Sequence, residues 1–269
     1  MSPIRRLAPL ALVGTLLAGC AAGTAAEASP DPASSAASTG TTTATDDLSG
    51  ELVVLAAASL QDTFTELGDM MMAQHPGLTV TFSFGASSTL AQQALAGAPA
   101  DVFAAANTTT MQTAAEVTGT PVLFAHNSLE IAVPPGNPAG VKGLADLANP
   151  DLTIALCAPE VPCGAAAVKA FQAAGLTPAP DTYAPDVKAT LTAVVLGEVD
   201  AGLVYRTDVA AAGDTAQGIE FPEASAAVND YPIAVLTDAK NPAAALAFVD
   251  LVLSPQGQRV LTDAGFDPA

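Results

Sequence analysis

Leu52-Val53-Val54-Leu55-Ala56-Ala57-Ala58 is an unbroken apolar run of strand length, the pattern of a strand covered on both faces of a parallel sheet. Ser59 follows. Leu60, Phe64, Leu67, Met70 and Met71 then recur at helical spacing, with Asp62 and Glu66 in the first turns, so Ser59 is expected as the N-cap of a helix. The unit repeats in form: residues 78–84 read as a strand, Ser87-Ser88 opens a helix through Leu95, Gly97-Ala98-Pro99 closes it, and residues 101–105 read as a third strand. Further on, 128–133, 152–156, 201–205 and 229–236 have strand patterns. Helices are expected over 164–174, ended by Gly175, over 187–196, capped by Pro185-Asp186 and stopped by Gly197, and over 242–253 and 255–264. Strands alternating with helices predict an α/β fold with mostly parallel sheets, and no fixed-period repeat interrupts it. The segments 127–134 and 229–236 are candidate passages between two lobes.

The N-terminus has a different pattern. Arg5 and Arg6 precede an apolar run from Leu7 that ends in Leu17-Ala18-Gly19-Cys20, the arrangement of a lipoprotein export signal cleaved ahead of the cysteine. The run is too short to span a bilayer. Residues 1–19 are therefore expected to be a signal peptide rather than a buried core helix, with Cys20 carrying the lipid. Residues 21–49, almost wholly Ala, Ser, Thr, Gly, Pro and Asp, have no apolar face to bury and are read with Cys20 as a disordered tether, 20–49.

Charge narrows the partners. Without Arg5 and Arg6, six of the eight basic residues face all 27 acidic ones, a formal charge of −21. Such a chain has no basic stripe for nucleic acid. Any anion site must be assembled from local dipoles. Two cysteines remain, Cys157 and Cys163, six positions apart. Outside the cytoplasm they read first as a disulfide, with free buried thiols as the alternative. A metal site finds no support, because the histidines His75 and His126 are far from the pair in sequence.

Four helix starts carry the candidate chemistry: Ser59, Ser87 with Ser88, Cys163-Gly164, and Asp186-Val187. Helix N-termini hold unpaired N–H groups and a partial positive charge, so several aimed at one point make an anion site without Lys or Arg. In open α/β sheets such junctions gather at the carboxyl ends of strands. Taken singly, a serine at a helix start is a cap. The wording of the segments adds specificity: Ala56-Ala57-Ala58-Ser59-Leu60, Phe84-Gly85-Ala86-Ser87-Ser88-Thr89-Leu90, Gly97-Ala98-Pro99-Ala100-Asp101-Val102-Phe103, Pro159-Glu160-Val161-Pro162-Cys163-Gly164 and Gly202-Leu203-Val204-Tyr205. In this order and spacing they resemble the periplasmic molybdate-binding proteins of ABC importers, over nearly all of residues 50–269.

The resemblance implies a two-lobed type II periplasmic-binding-protein fold closing on one tetrahedral oxyanion, molybdate or tungstate, with no cofactor. It implies lobe 1 over 50–127 with 231–269 and lobe 2 over 128–230. It also implies a membrane permease as partner; a monomer is expected, and the lipid on Cys20 would hold the protein to the membrane. By position, Ser59 and Ser87 would donate hydroxyl and backbone N–H, Cys163 and Val187 backbone N–H groups, and Tyr205 its phenol. Cys163 stands where the family commonly has a small residue; a Cys157–Cys163 bridge would hold that loop. Lys188 and Arg206, beside Val187 and Tyr205, are expected as exposed charges pointing away. Rival readings are a serine hydrolase, a thiol-redox protein, and a binder of sulfate or phosphate. A hydrolase lacks the G-x-S-x-G elbow, and both histidines look like loop positions. A C-x₅-C pair is not the redox C-x-x-C, and phosphate would need an acceptor such as Asp in the site.

Overall fold

The computed structural model describes residues 47–269. The expected signal peptide, Cys20 and most of the expected tether lie outside them. In chain order the elements are β1 (Ser49–Ala57), α1 (Gln61–Gln74), β2 (Gly77–Gly85), α2 (Ser87–Leu95), β3 (Val102–Ala104), α3 (Thr108–Thr113), β4 (Val122–Asn127), β5 (Leu129–Val133), β6 (Ile154–Cys157), α4 (Pro162–Ala174), β7 (Thr182–Ala184), α5 (Val187–Val195), β8 (Ala201–Tyr205), α6 (Arg206–Ala212), β9 (Gln217–Ile219), β10 (Asn229–Val235), α7 (Pro242–Leu253), α8 (Pro255–Asp263) and β11 (Asp267–Pro268). Strand β1 begins inside the segment expected as tether, and Leu48 ahead of it already packs on the core.

Among these residues the strands form two sheets, ordered β11-β4-β10-β3-β1-β2 and β7-β6-β8-β5-β9. Each sheet has a parallel trio, β3-β1-β2 in the first and β7-β6-β8 in the second. The remaining neighbours are antiparallel, so both sheets are mixed rather than mostly parallel. The antiparallel pairs involve the strands that pass between sheets, which do not return over a helix as parallel neighbours must. One passage is a single residue: β4 ends at Asn127 in the first sheet and β5 begins at Leu129 in the second. The other runs from β9 through a 3-10 segment, Pro222–Ala227, into β10.

Period-two alternation explains the packing of β1. Leu52, Val54 and Ala56 face Leu60, Phe64 and Leu67 around α1, whereas Leu55 faces Leu90, Phe103 and Met111 on the other side of the sheet. With helices on both faces, the only open ground at the strand ends is where their loops emerge, and the serine junctions sit there. The second sheet has its own core, built from Ile131, Ile154, Leu156, Phe171, Val194 and Leu203 among others.

Candidate functional site

Ser59, Ser87, Cys163, Val187 and Tyr205 all line one cavity of about 20 Å³ between elements of the two sheets. Room for a single water-sized centre is on the order of 10–15 Å³, and drug-sized ligands fill hundreds of Å³, so this cavity accommodates one compact inorganic group. Cys163 stands in the first turn of α4 and Val187 is the first residue of α5, where backbone N–H groups have no partner within the helix. Gly164 makes the approach of α4 possible: a Cβ there would fall on the Ala158 carbonyl. Asp186 also lines the cavity, but its carboxylate caps α5 by accepting from the Ala189 N–H at 2.9 Å. A larger groove of about 730 Å³, beside Met111, Gly119 and Leu123, is wide open and lined mostly by apolar atoms. It brings no helix starts together.

The two serines are not caps. Ser59 lies within a 3-10 turn, Ala58–Leu60, that precedes α1, and neither it nor Ser87 makes a capping bond; α2 follows Ala86. Their hydroxyls are engaged elsewhere: Ser59 Oγ lies 2.9 Å from the Tyr231 phenol, and Ser87 Oγ accepts from the Ala106 N–H at 3.0 Å. Tyr205 is fully buried and receives a hydrogen bond from Asn229 Nδ2 at 2.6 Å. Burial pushes the Tyr205 phenol well up, reinforced by Tyr231 and by the charge of Asp208; burial likewise raises Tyr231. Both phenols therefore keep their protons at any physiological pH. Asn127, Asn229 and Tyr231 were missed by sequence reasoning, although the two asparagines begin the segments flagged as passages between lobes.

The chain matches the bacterial extracellular solute-binding protein family over residues 52–267. It is 41% identical over 218 residues to the molybdate-binding protein ModA of Mycobacterium tuberculosis, covering 80% of this chain and 84% of that one. The chain is a bacterial extracellular solute-binding protein. Its fold is similar to that of the periplasmic molybdate-binding protein of Azotobacter vinelandii, at 21% identity with a TM-score of 0.69 over 81% of this chain and 99% of the other. The sulfate-binding protein SubI of Mycobacterium tuberculosis shares the fold at 18% identity, TM-score 0.69, over 81% and 87%.

Both cations beside the cavity of this solute-binding protein stay out of its lining, as expected, but they are ion-paired rather than free exposed charges. Lys188 Nζ reaches Asp62 at 3.0 Å, on the first turn of α1, and Asp208 at 3.6 Å, so it spans the two sheets' elements. Arg206 Nε donates to the Gly265 carbonyl at 2.6 Å and its guanidinium pairs with Asp267 at 2.6 Å. Long side chains on the rim of a cleft find partners across it, which exposure statistics for single residues do not anticipate. Neither lines the cavity. His126 is in β4, not in a loop, and its Nδ1 is 2.7 Å from Asp230; neither it nor His75 lines the cavity to serve Ser59 or Ser87 as a base.

Cys157 and Cys163 are joined by a disulfide with their Cα atoms 5.8 Å apart. The bridge ties the end of β6 to the first turn of α4, and so to the Cys163 N–H. Protein made in an oxidising compartment should show no alkylatable thiol at these positions, and two alkylated cysteines without reductant would refute the bridge. Replacing both by serine is expected to cost about 2–3 kcal/mol of stability in urea titrations, the entropy of closing so short a loop.

Proposed function

We propose that this protein captures molybdate, and also tungstate, outside the cytoplasm and delivers it to the membrane permease of an ABC importer. It works as a monomer, exported by residues 1–19 and held to the membrane by a lipid on Cys20 through the tether that leads from it to the folded body at Leu48. Residues 50–127 with 231–269 form lobe 1 and 128–230 form lobe 2. Ser59 and Ser87 donate from lobe 1, and Cys163, Val187 and Tyr205 from lobe 2.

The observation that carries this reading is the meeting of these five donors on one cavity of about 20 Å³ with no cationic side chain in its lining. A fully deprotonated tetrahedral dianion needs donors only, and hydrogen bonds to a charged acceptor from fixed groups can hold it without a counter-charge. The 41% identity to a molybdate-binding protein favours molybdate over sulfate; the likeness to a sulfate-binding protein is one of fold. Calorimetric titration against an oxyanion panel tests it. Molybdate and tungstate should bind tightly and sulfate much more weakly, because rigid donors spaced for a larger tetrahedron cannot all reach a smaller one. Sulfate binding as tight as molybdate would sink the assignment.

A further inference from the structure

Two asparagines meet where the chain passes between the sheets. Asn127 ends β4, Asn229 opens β10, and they are partners across the antiparallel ladder. Both are buried. A carboxamide has an accepting end and a donating end, so its orientation sets the polarity of whatever it touches. The backbone fixes both orientations here. Asn127 Oδ1 accepts from the Ser128 N–H at 3.0 Å, which turns Nδ2 toward Thr207 Oγ1 at 2.8 Å and the Tyr231 phenol at 3.4 Å. Asn229 must present Nδ2 to the Ala106 carbonyl at 2.8 Å, because a carbonyl only accepts, and the same nitrogen donates to the Tyr205 phenol.

The consequence runs outward to the cavity. Tyr205 receives from Asn229, so its own proton is left for the cavity it lines. Tyr231 receives from Asn127, and Ser59 Oγ at 2.9 Å lies in reach as the acceptor of its proton. In the reverse sense the Tyr231 proton would have to turn to the Tyr205 phenol, which already receives from Asn229. Ser59, receiving from Tyr231, also turns its proton to the cavity. Ser87 is polarised in the same sense by the Ala106 N–H. Each hydroxyl thus has one lone pair engaged from behind, which biases it toward donating on the cavity side.

We propose that Asn127, Asn229 and Tyr231 are positioning residues that aim the hydroxyl protons of Ser59 and Tyr205 at the bound anion, making these hydroxyls better donors and poorer acceptors, which disfavours an oxyanion carrying a proton. The proposal rests on the oxyanion-binding reading above. A hydrogen phosphate ion, also a dianion at pH 8, would direct its O–H at hydroxyls biased to donate, unless it reached Asp186, whose Oδ1 is taken by the Ala189 N–H.

Two double-mutant cycles, with molybdate and inorganic phosphate as ligands at pH 8, test it. Tyr231→Phe keeps the ring and should weaken molybdate binding about tenfold in the wild-type background, yet less than twofold in Ser59→Ala, since it acts only through that hydroxyl. Asn229→Ala should behave the same way against Tyr205→Phe. Tyr231→Phe should also narrow the molybdate-to-phosphate affinity ratio several-fold, which a loss of packing would not do. Thermal melts establish that each variant is folded, and if one pair is not, the other cycle decides. Losses that simply multiply in the cycles, or a Tyr231→Phe protein with wild-type affinity, would overturn the relay alone. Wild-type protein that binds no oxyanion would overturn the relay and the function together.

Discussion

Val187→Pro is expected to weaken molybdate binding about a hundredfold, and Lys188→Ala by less than tenfold. Proline removes the N–H at the first position of α5, and a hydrogen bond to a charged group is worth roughly 1.5–3 kcal/mol, or one to two decades in affinity. The helix tolerates the change. Proline is favoured at this position, and Asp186 ahead of it is extended (φ −156°, ψ 178°), as a residue before proline must be. Lys188 instead makes a partly exposed ion pair across the cleft, of a kind worth about 1 kcal/mol or less. Its loss also strips Asp208 of a partner, a cost limited because that carboxyl can take a proton. Val187→Ala retains the N–H and controls for side-chain packing, with circular dichroism to check each fold. Lys188→Ala abolishing binding while Val187→Pro leaves it intact would make the site cationic rather than dipolar.

Asp208→Asn is expected to remove a pH dependence of stability worth about 3 kcal/mol. Asp208 is almost fully buried, and one carboxylate oxygen has no hydrogen bond while the other accepts from the Tyr205 N–H. Burial pushes its carboxyl up to about 6, against the opposing pull of Lys188 and the Tyr205 N–H, with Asp62 adding to the rise. A carboxyl whose folded value lies above its unfolded value of 3.8 holds its proton more tightly when folded. Its contribution to stability is therefore full below about pH 4 and is lost as pH rises through 6. Urea unfolding at intervals from pH 4 to 7.5 should show the variant gaining on the wild type by about that amount, from the two-unit difference at roughly 1.4 kcal/mol each. Every other carboxyl is common to both proteins, so a stability difference that stays flat with pH would refute the account.

The long, well-punctuated elements were legible in the sequence. Gly175 (φ 67°) and Gly197 (φ 68°) end or follow helices where the pattern put them, and Asp186 caps α5 as expected. The segments that escaped were β4, β7, β9, β11, α3 and α6, none longer than seven residues and so too short for a period to emerge. Ser59 was placed on the right junction but given the wrong local role, because a serine between a strand and a helix looks the same whether it caps or turns inward. The polar network behind it could not be read at all. Tyr231 meets Ser59 across 172 positions and Asn229 meets Tyr205 through the passage between sheets. Such pairings are set by strand register, which a single sequence does not display. What the sequence did contain was an asparagine at the start of each apolar segment flagged as a passage.

A cavity that offers neutral donors and no cation, on a chain whose formal charge is −19 even with its first two arginines counted, separates arrival from residence. The approaching dianion feels the repulsion of the whole surface, a long-range field that ions in the medium screen within about 10 Å at 0.1 M ionic strength. Once seated, it feels only contacts of hydrogen-bond length, which the same ions hardly touch. Capture should therefore quicken as ionic strength rises while escape keeps its pace, the reverse of receptors that draw in anions with lysine and arginine, so affinity is expected to rise in the brine that weakens theirs.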